Sequence, residues 1–309
     1  MAIYSFTIRI ISRSKTNTVD ALAYRAGTKV ICPRTGETFN YSSKEVQHVE
    51  LLLPEGAPQW ARKLQGLMAE DRQKGAQEFC NRVENAEKRK DAQVYREFRL
   101  TLPLEFTQEQ SIALTQEYIQ DQACKLGMTA LLNFHFDEDP ETGKANSHCH
   151  VLLLTRRLTE EGLSVKKDRS WNKKTQHETW REQWAAYLNF HLKLNGFDVI
   201  VDHRSYTEQG IDLEPQPKLG QNIRQMEKRS GLSHRNQTGK EAARNKGENV
   251  SSPNSSALNK RMQFDSISVR NIGRLIQKPE RVLRSSPNIN PPLCGGMWKE
   301  SCPNIANNI

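Results

Sequence analysis

The chain opens with an alternation. Tyr4, Phe6, Ile8 and Ile10 are apolar while Ser5, Thr7 and Arg9 are polar, a period of two that predicts a half-buried strand. A short helix follows in "NTVDALAYRAG", with Asn17 or Thr18 as its N-cap and Gly27 as its C-cap. "KVICPRTGETFNY" reads as a hairpin turning at Arg34-Thr35-Gly36, and "VQHVELLLP" as a further strand. Residues 58–91 take a helical period and end in the charged turn "ENAEKRKD". "VYREFRLTLP" is a strand closed by Pro103, and "TQEQSIALTQEYIQDQACKLG" a helix stopped by Gly127. Two strands over 128–137 and 147–155, a helix through "HETWREQWAAYLNFHLKLNG" and a last strand in "DVIVDH" complete the pattern near residue 215.

Helices interrupt these strands without a regular strand–helix–strand alternation. The expected fold class is therefore α+β: a central antiparallel sheet with helices on its faces. Past about residue 220 the patterning stops. "RSGLSHRNQTGKEAARNKGENVSSPNSSALNK" and "SSPNINPPLCGG" hold too little apolar surface to offset the entropy of ordering. The expected organisation is a folded domain over 1–220 and a largely disordered tail over 221–309, with one short helix around 266–277.

Charge separates the same two regions. Residues 1–220 hold 30 Lys+Arg and 30 Asp+Glu, whereas 221–309 hold 15 and 6, so the whole net charge of +9 lies in the tail. A basic tail on a neutral body points to a polyanion such as a nucleic-acid backbone, or serves solubility alone. The six cysteines form no CxxC pair, which excludes a zinc ribbon or thioredoxin-like motif and fits a reducing compartment. The start "MAIYSFTIRIISRSK" is not a signal peptide, and no apolar run approaches the roughly 20 residues of a membrane span. A cytoplasmic protein with no membrane insertion is expected.

Three of the eight histidines gather in "LLNFHF" and "NSHCHVLLLT". On a strand His148 and His150 share a face while Cys149 takes the other, which removes Cys149 as a partner of the pair. If the strand carrying His135 pairs antiparallel with theirs, the three imidazoles meet and leave coordination positions open, as in a catalytic metal site. Three unrelated histidines, two in hydrogen bonds and one exposed, are the plainer alternative. The nearby Asp137, Glu138 and Asp139 are either further ligands or, clustered in a polar loop, solvated, and the clustering favours the second. A divalent ion there is suited to polarising a phosphoryl oxygen. No GxSxG elbow and no GxxxxGK[ST] loop supplies a nucleophile or phosphate cradle. A tyrosine can attack phosphorus covalently. Tyr24 in "ALAYRAG" has small neighbours that leave room for substrate, although an aromatic anchoring a short helix gives the same pattern.

Taken together, "MAIYSFTIRIISRS…ALAYRAG", "YREFRLTLPLEF", "NSHCHVLLLTRRL" and the closing "WREQWAAYLNFHLKLNGFDVIVDHRSYTEQGIDLEPQPKLG" resemble the MobA/MobL family of plasmid mobilization relaxases, within the His-hydrophobic-His endonucleases. The resemblance runs from residue 1 to about 220. It implies a relaxase-like fold and a metal-dependent, strand-specific DNA endonuclease/transesterase. Such an enzyme nicks one strand at a transfer origin through a 5′-phosphotyrosine intermediate and reseals it without ATP. By position it implies Tyr24 as nucleophile and His135, His148 and His150 as metal ligands, for Mg²⁺ or Mn²⁺. By ligand type Zn²⁺ or Co²⁺ would also bind. Glu97 matches an acid near the tyrosine that accepts the phenolic proton or orients a ligand histidine, with a surface ion-pair role as the alternative. The family often carries a second acid two residues later, where this chain has Arg99. His203 and Arg204 match a shared stretch of no derivable role. The implied partners are single-stranded DNA at a transfer origin, accessory relaxosome proteins and a type IV secretion coupling protein. Three readings compete: a rolling-circle replication initiator attacking through Tyr187, a non-catalytic zinc-stabilised DNA-binding protein, and a phosphohydrolase using activated water.

Overall fold

The computed structural model describes residues 4–137 and 146–212. The 221–309 tail, the helix expected around 266–277, the boundary near 220 and the acids Glu138 and Asp139 lie outside the described residues.

Five strands form one antiparallel sheet in the order β1-β5-β7-β6-β4. They are β1 (Phe6–Ser12), β4 (His48–Leu52), β5 (Gln93–Thr101), β6 (Ala130–His135) and β7 (His148–Leu154). The expected α+β class is the fold observed. β2 (Lys29–Ile31) and β3 (Thr38–Asn40) make the hairpin read from "RTG", closed by Gly36 N–H donating to the Cys32 carbonyl. β5, β6 and β7 lie inside the sheet and are the most buried of the five. β4, an edge, carries His48 and Glu50, and β1, the other edge, carries Arg9.

Helices cover both faces. On one, α1 (Thr18–Ala26), α2 (Gln59–Glu70) and α3 (Arg72–Ala86) pack Leu22, Leu64, Met68 and Phe79 onto Tyr95, Leu131, Leu152 and Leu154. On the other, α4 (Gln108–Gln122) and α5 (Lys174–Leu194) build an aromatic layer over the sheet. Phe98 meets Phe6 at 5.0 Å and Trp180 at 4.9 Å, and Tyr118 meets Trp184 at 4.9 Å between ring centroids. Each such burial stabilises by roughly 1.5–3 kcal/mol, with aromatic pairing adding about 0.5–1.5 kcal/mol.

The expected helix over 58–91 is two helices, broken at Asp71, whose side chain caps the second by accepting from Lys74 N–H. Two other expectations need correction. "DVIVDH" is not a strand: Asn189 of α5 both accepts from Val201 N–H at 2.8 Å and donates to its carbonyl at 2.9 Å, so an amide side chain satisfies that backbone instead of a sheet. A hairpin, β8 (Arg156–Thr159) with β9 (Gly162–Lys167), was not foreseen. Its polar, charged sequence lacks a strand's apolar alternation, and buried Arg156 pinned to Glu87 at 2.9 Å fixes its base. No described helix is long and apolar enough to cross a membrane.

α1 is held in place from three sides. Asn17 caps it by accepting from Val19 and Asp20 N–H, and Gly27 ends it at φ 57°. Glu84 of α3, buried, accepts from the Thr18 hydroxyl at 2.8 Å and from Arg13. Asp20 accepts from the Tyr41 hydroxyl at 2.6 Å.

Candidate active site

The face beneath α1–α3 changes chemistry partway along one strand. Leu154 and Leu152 of β7 are core, and the next two residues on that face are His150 and His148. Register carries the change across the sheet. His148 pairs with His135 of β6, and His150 pairs with Asn133 on one side and Arg99 on the other. The conditional expectation about His135 is met by that pairing, and Cys149 is fully buried on the opposite face.

The three imidazoles form a nearly equilateral triangle, with centroids 5.1 Å (135–148), 5.3 Å (135–150) and 5.0 Å (148–150) apart. Burial lowers all three, His135 to about 2 with Lys44 and the other two histidines adding, and His148 to about 4 against a backbone bond to Asn146 that raises it. His150 is also lowered by burial, with Glu97 acting in the raising direction. Near neutral pH the rings are therefore uncharged, with a lone pair each.

Their hydrogen bonds orient two of them. Nδ1 of His148 lies 2.6 Å from the Asn146 carbonyl, and Nδ1 of His150 lies 2.6 Å from Glu97 Oε1. Both contacts require Nδ1–H to donate and leave Nε2 as a bare acceptor. His135 is fully buried, and neither of its ring nitrogens has a partner at hydrogen-bond distance, the nearest carboxylate being Asp137, whose Oδ2 lies 3.8 Å from Nδ1. An orphaned buried imidazole costs about 1–3 kcal/mol unless something binds it, so this donor set fits a cation. As oriented, the rings of His135 and His148 stack at 11°, and among the described residues no three donor groups converge on one point. No such bond holds the His135 ring in that stacked orientation.

Glu97 joins this cluster to α1. Its carboxylate receives Nδ1–H of His150 and a two-pronged bond from Arg25, Nε to Oε1 at 2.5 Å and Nη2 to Oε2 at 3.0 Å. Burial would raise Glu97, but His150 and Arg25 hold it down at about 2. A carboxylate so held is a weak base and a strong orienting acceptor.

Tyr24 precedes Arg25 on α1 and is 45 % exposed. Its ring meets Tyr41 edge-on at 5.3 Å, and the Lys44 ammonium lies 3.6 Å from its centroid. Arg99, set by register beside His150, lies within electrostatic range of both Glu97 and Tyr24. Lys44, Arg9 and Arg99 thus make the surroundings basic. Sequence patterning singled out neither Lys44 nor Arg9. A lone lysine in a polar loop gives no signal, and only the pairing of Arg9 with Glu97 brings it to this face.

Tyr187 is elsewhere. It is buried between α4 and α5 on the far face, its ring 5.5 Å from Tyr118 and its hydroxyl donating to Asp121. Burial and Asp121 push its phenol far up. His203 and Arg204 sit next to Asp202, which pairs with Arg204 at 2.6 Å.

A buried triangle of neutral imidazoles beside an exposed tyrosine and several cations is suited to phosphoryl chemistry. Residues 16–229, most of the chain, match the MobA/MobL family, and the protein belongs to that family. It is 37% identical over 243 residues to the conjugal transfer protein TraA of Agrobacterium fabrum, covering 71% of this chain and 21% of TraA. With the mobilization protein MobL of Acidithiobacillus ferridurans it shares 32% identity over 265 residues, 76% of this chain and 66% of MobL. Among solved structures it matches, at a TM-score of 0.57 and 29% identity, the chain of "Molecular Basis of Vancomycin Resistance Transfer in Staphylococcus aureus", covering 66% of this chain and all of that one. The chain thus spans about a fifth of the length of TraA and about two thirds of that of MobL.

Proposed function

We propose that this protein is a mobilization relaxase that cuts and rejoins one DNA strand at a transfer origin. The observation that carries the reading is the triangle of buried, uncharged histidines on β6 and β7, tied through Glu97 and Arg25 to the helix that presents Tyr24. Relatives named for conjugal transfer and mobilization support the biological setting.

In this reading the Tyr24 phenol oxygen attacks a phosphodiester of single-stranded DNA. The new O–P bond makes a 5′-phosphotyrosine and the bond to the 3′ oxygen breaks. The phenol gives up a proton and the 3′ oxygen gains one, so the step balances and its reverse reseals the strand. His135, His148 and His150 hold a divalent ion, Mg²⁺ or Mn²⁺ in the family's habit. When bound it supplies Lewis-acid polarisation of the phosphate. Glu97 fixes the His150 ring and its tautomer; held at about 2, it serves as an orienting acceptor better than as the base for the phenol. Arg9 and Arg99 neutralise backbone phosphates, so binding weakens as salt rises. Accessory relaxosome proteins that expose the origin and a type IV coupling protein that accepts the adduct complete the proposed setting, in the cytoplasm.

The test is an adduct assay. Labelled single-stranded DNA from the region flanking the gene is incubated with the protein and Mg²⁺ or Mn²⁺, then run on a denaturing gel beside Tyr24→Phe and Tyr187→Phe. A shifted band lost only in Tyr24→Phe is expected. Loss only in Tyr187→Phe would make the protein a replication initiator. Nicked DNA without attached protein would mean hydrolysis by water.

A further inference from the structure

Lys44 stands in the loop between β3 and β4, and nothing in the nicking scheme above uses it. Its Nζ lies 3.6 Å from the Tyr24 ring centroid and donates to the Tyr24 carbonyl at 3.3 Å. A cation over an aromatic face is attracted by the ring quadrupole. Its charge is also felt by His135, His148 and Asp137. The ammonium therefore stands at the candidate nucleophile, within electrostatic reach of the imidazoles.

The fold builds this position. A Cβ on Gly27 would meet Val46 Cγ2 at 2.5 Å and the Lys44 carbonyl oxygen at 2.8 Å. The bare Cα, at φ 57°, is what lets the 41–47 loop lie against the end of α1. The Tyr41 hydroxyl, bonded to Asp20 at 2.6 Å, ties the loop down from its other end. Lys44 is half-buried, and burial pushes its ammonium down to about 8, with Asp137 opposing and Arg25 adding to the fall. A partly desolvated cation beside a second cation gains when an anion arrives. Among the described residues Nζ makes one hydrogen bond, which leaves further N–H donors for that anion.

We propose that Lys44 is a phosphate-binding residue of the nicking site. Its ammonium takes a non-bridging oxygen of the scissile phosphodiester while its contact with the Tyr24 ring holds the phenol for attack. The inference rests on Tyr24 being the nucleophile. As the phenol oxygen bonds to phosphorus and the 3′ oxygen departs, an ammonium fixed at the non-bridging oxygens stabilises the charge they carry in both cutting and resealing.

The test uses the full chain, single-stranded oligonucleotides tiled across the DNA flanking its gene, and the variants Lys44→Met, Lys44→Arg and Tyr24→Phe. Methionine keeps an unbranched apolar stem and removes the charge. Two quantities are read: the single-turnover rate of adduct formation, and the slope of log binding constant against log salt. Lys44→Met should slow the adduct about 10²–10³-fold, the scale of losing one donor to a developing oxyanion. It should also flatten the salt slope by about 0.7, one phosphate contact on a single strand. Lys44→Arg should restore most of both, which a purely structural role for the stem would not produce. An unchanged rate and slope in Lys44→Met, with Tyr24→Phe inactive, would overturn the role of Lys44 and leave Tyr24 as nucleophile. Adduct persisting in Tyr24→Phe would overturn the nucleophile reading and this inference with it.

Discussion

Tyr24 and Tyr187 lie on opposite faces of the same sheet, and their surroundings differ in every respect that matters to phosphoryl transfer. Tyr24 is 45 % exposed, stands among Lys44, Arg25 and Arg99, and its helix is tied through Glu97 to His150. Tyr187 is 2 % exposed, stacks among aromatics and spends its hydroxyl on Asp121. One face is a packed layer made for stability. The other is packed only as far as Leu152 and then opens into polar chemistry. A tyrosine's role follows from which of these it is placed in, since the side chain is the same.

The comparison can be broken most sharply at the nucleophile. Tyr24→Phe should abolish the covalent DNA adduct on a denaturing gel while shifting stability by less than about 0.5 kcal/mol, as for an exposed site. Tyr187→Phe should do the reverse, keeping the adduct and losing about 1–3 kcal/mol in a denaturant melt, because Asp121 Oδ2 loses its donor and only Lys125, on Oδ1, remains. Next in size is the aromatic layer. Trp180→Ala should cost about 3–5 kcal/mol, read as a lowered urea midpoint, with no change in the affinity for Mn²⁺ of the protein that remains folded. At the border, Glu97→Gln should weaken Mn²⁺ binding about 10–100-fold by calorimetry, because an amide, which can donate to Nδ1 as well as accept from it, no longer fixes the His150 tautomer as the carboxylate does. An unchanged affinity would detach Glu97 from the histidine cluster. An effect of similar size is expected at Gly27→Ala. The left-handed φ costs about 1–2 kcal/mol, and the clash with the 41–47 loop adds to it. A melt should show the loss, and adduct formation should slow in parallel if that loop places Lys44.

Much of the fold was legible because its strands carry local signals. The apolar runs of β6 and β7, the "RTG" hairpin and the Asn17 and Gly27 caps follow from periodicity and turn chemistry within a few residues. The strand proposed in "DVIVDH" failed because apolar alternation says nothing about whether a partner edge is available, and Asn189 took that backbone first. The β8–β9 hairpin was missed for the opposite reason: a buried ion pair between Arg156 and Glu87 fixes its base, and charge has no strand period.

The candidate site divides the same way. That His148 and His150 share a face is fixed by the two-residue repeat of any strand, so the sequence alone determined it. It also determined that Cys149 faces away, and that Tyr24 sits on a short capped helix among small residues. Only the tertiary structure decided that β6 pairs with β7 in the register that sets His135 opposite His148, that Arg25 reaches Glu97, and that a loop residue as unremarked as Lys44 lies over Tyr24. The physical reason is range. Side-chain direction is set by the dihedrals of one residue and its neighbours, whereas register, ion pairing and loop approach are chosen by burial and charge summed over segments far apart in the chain.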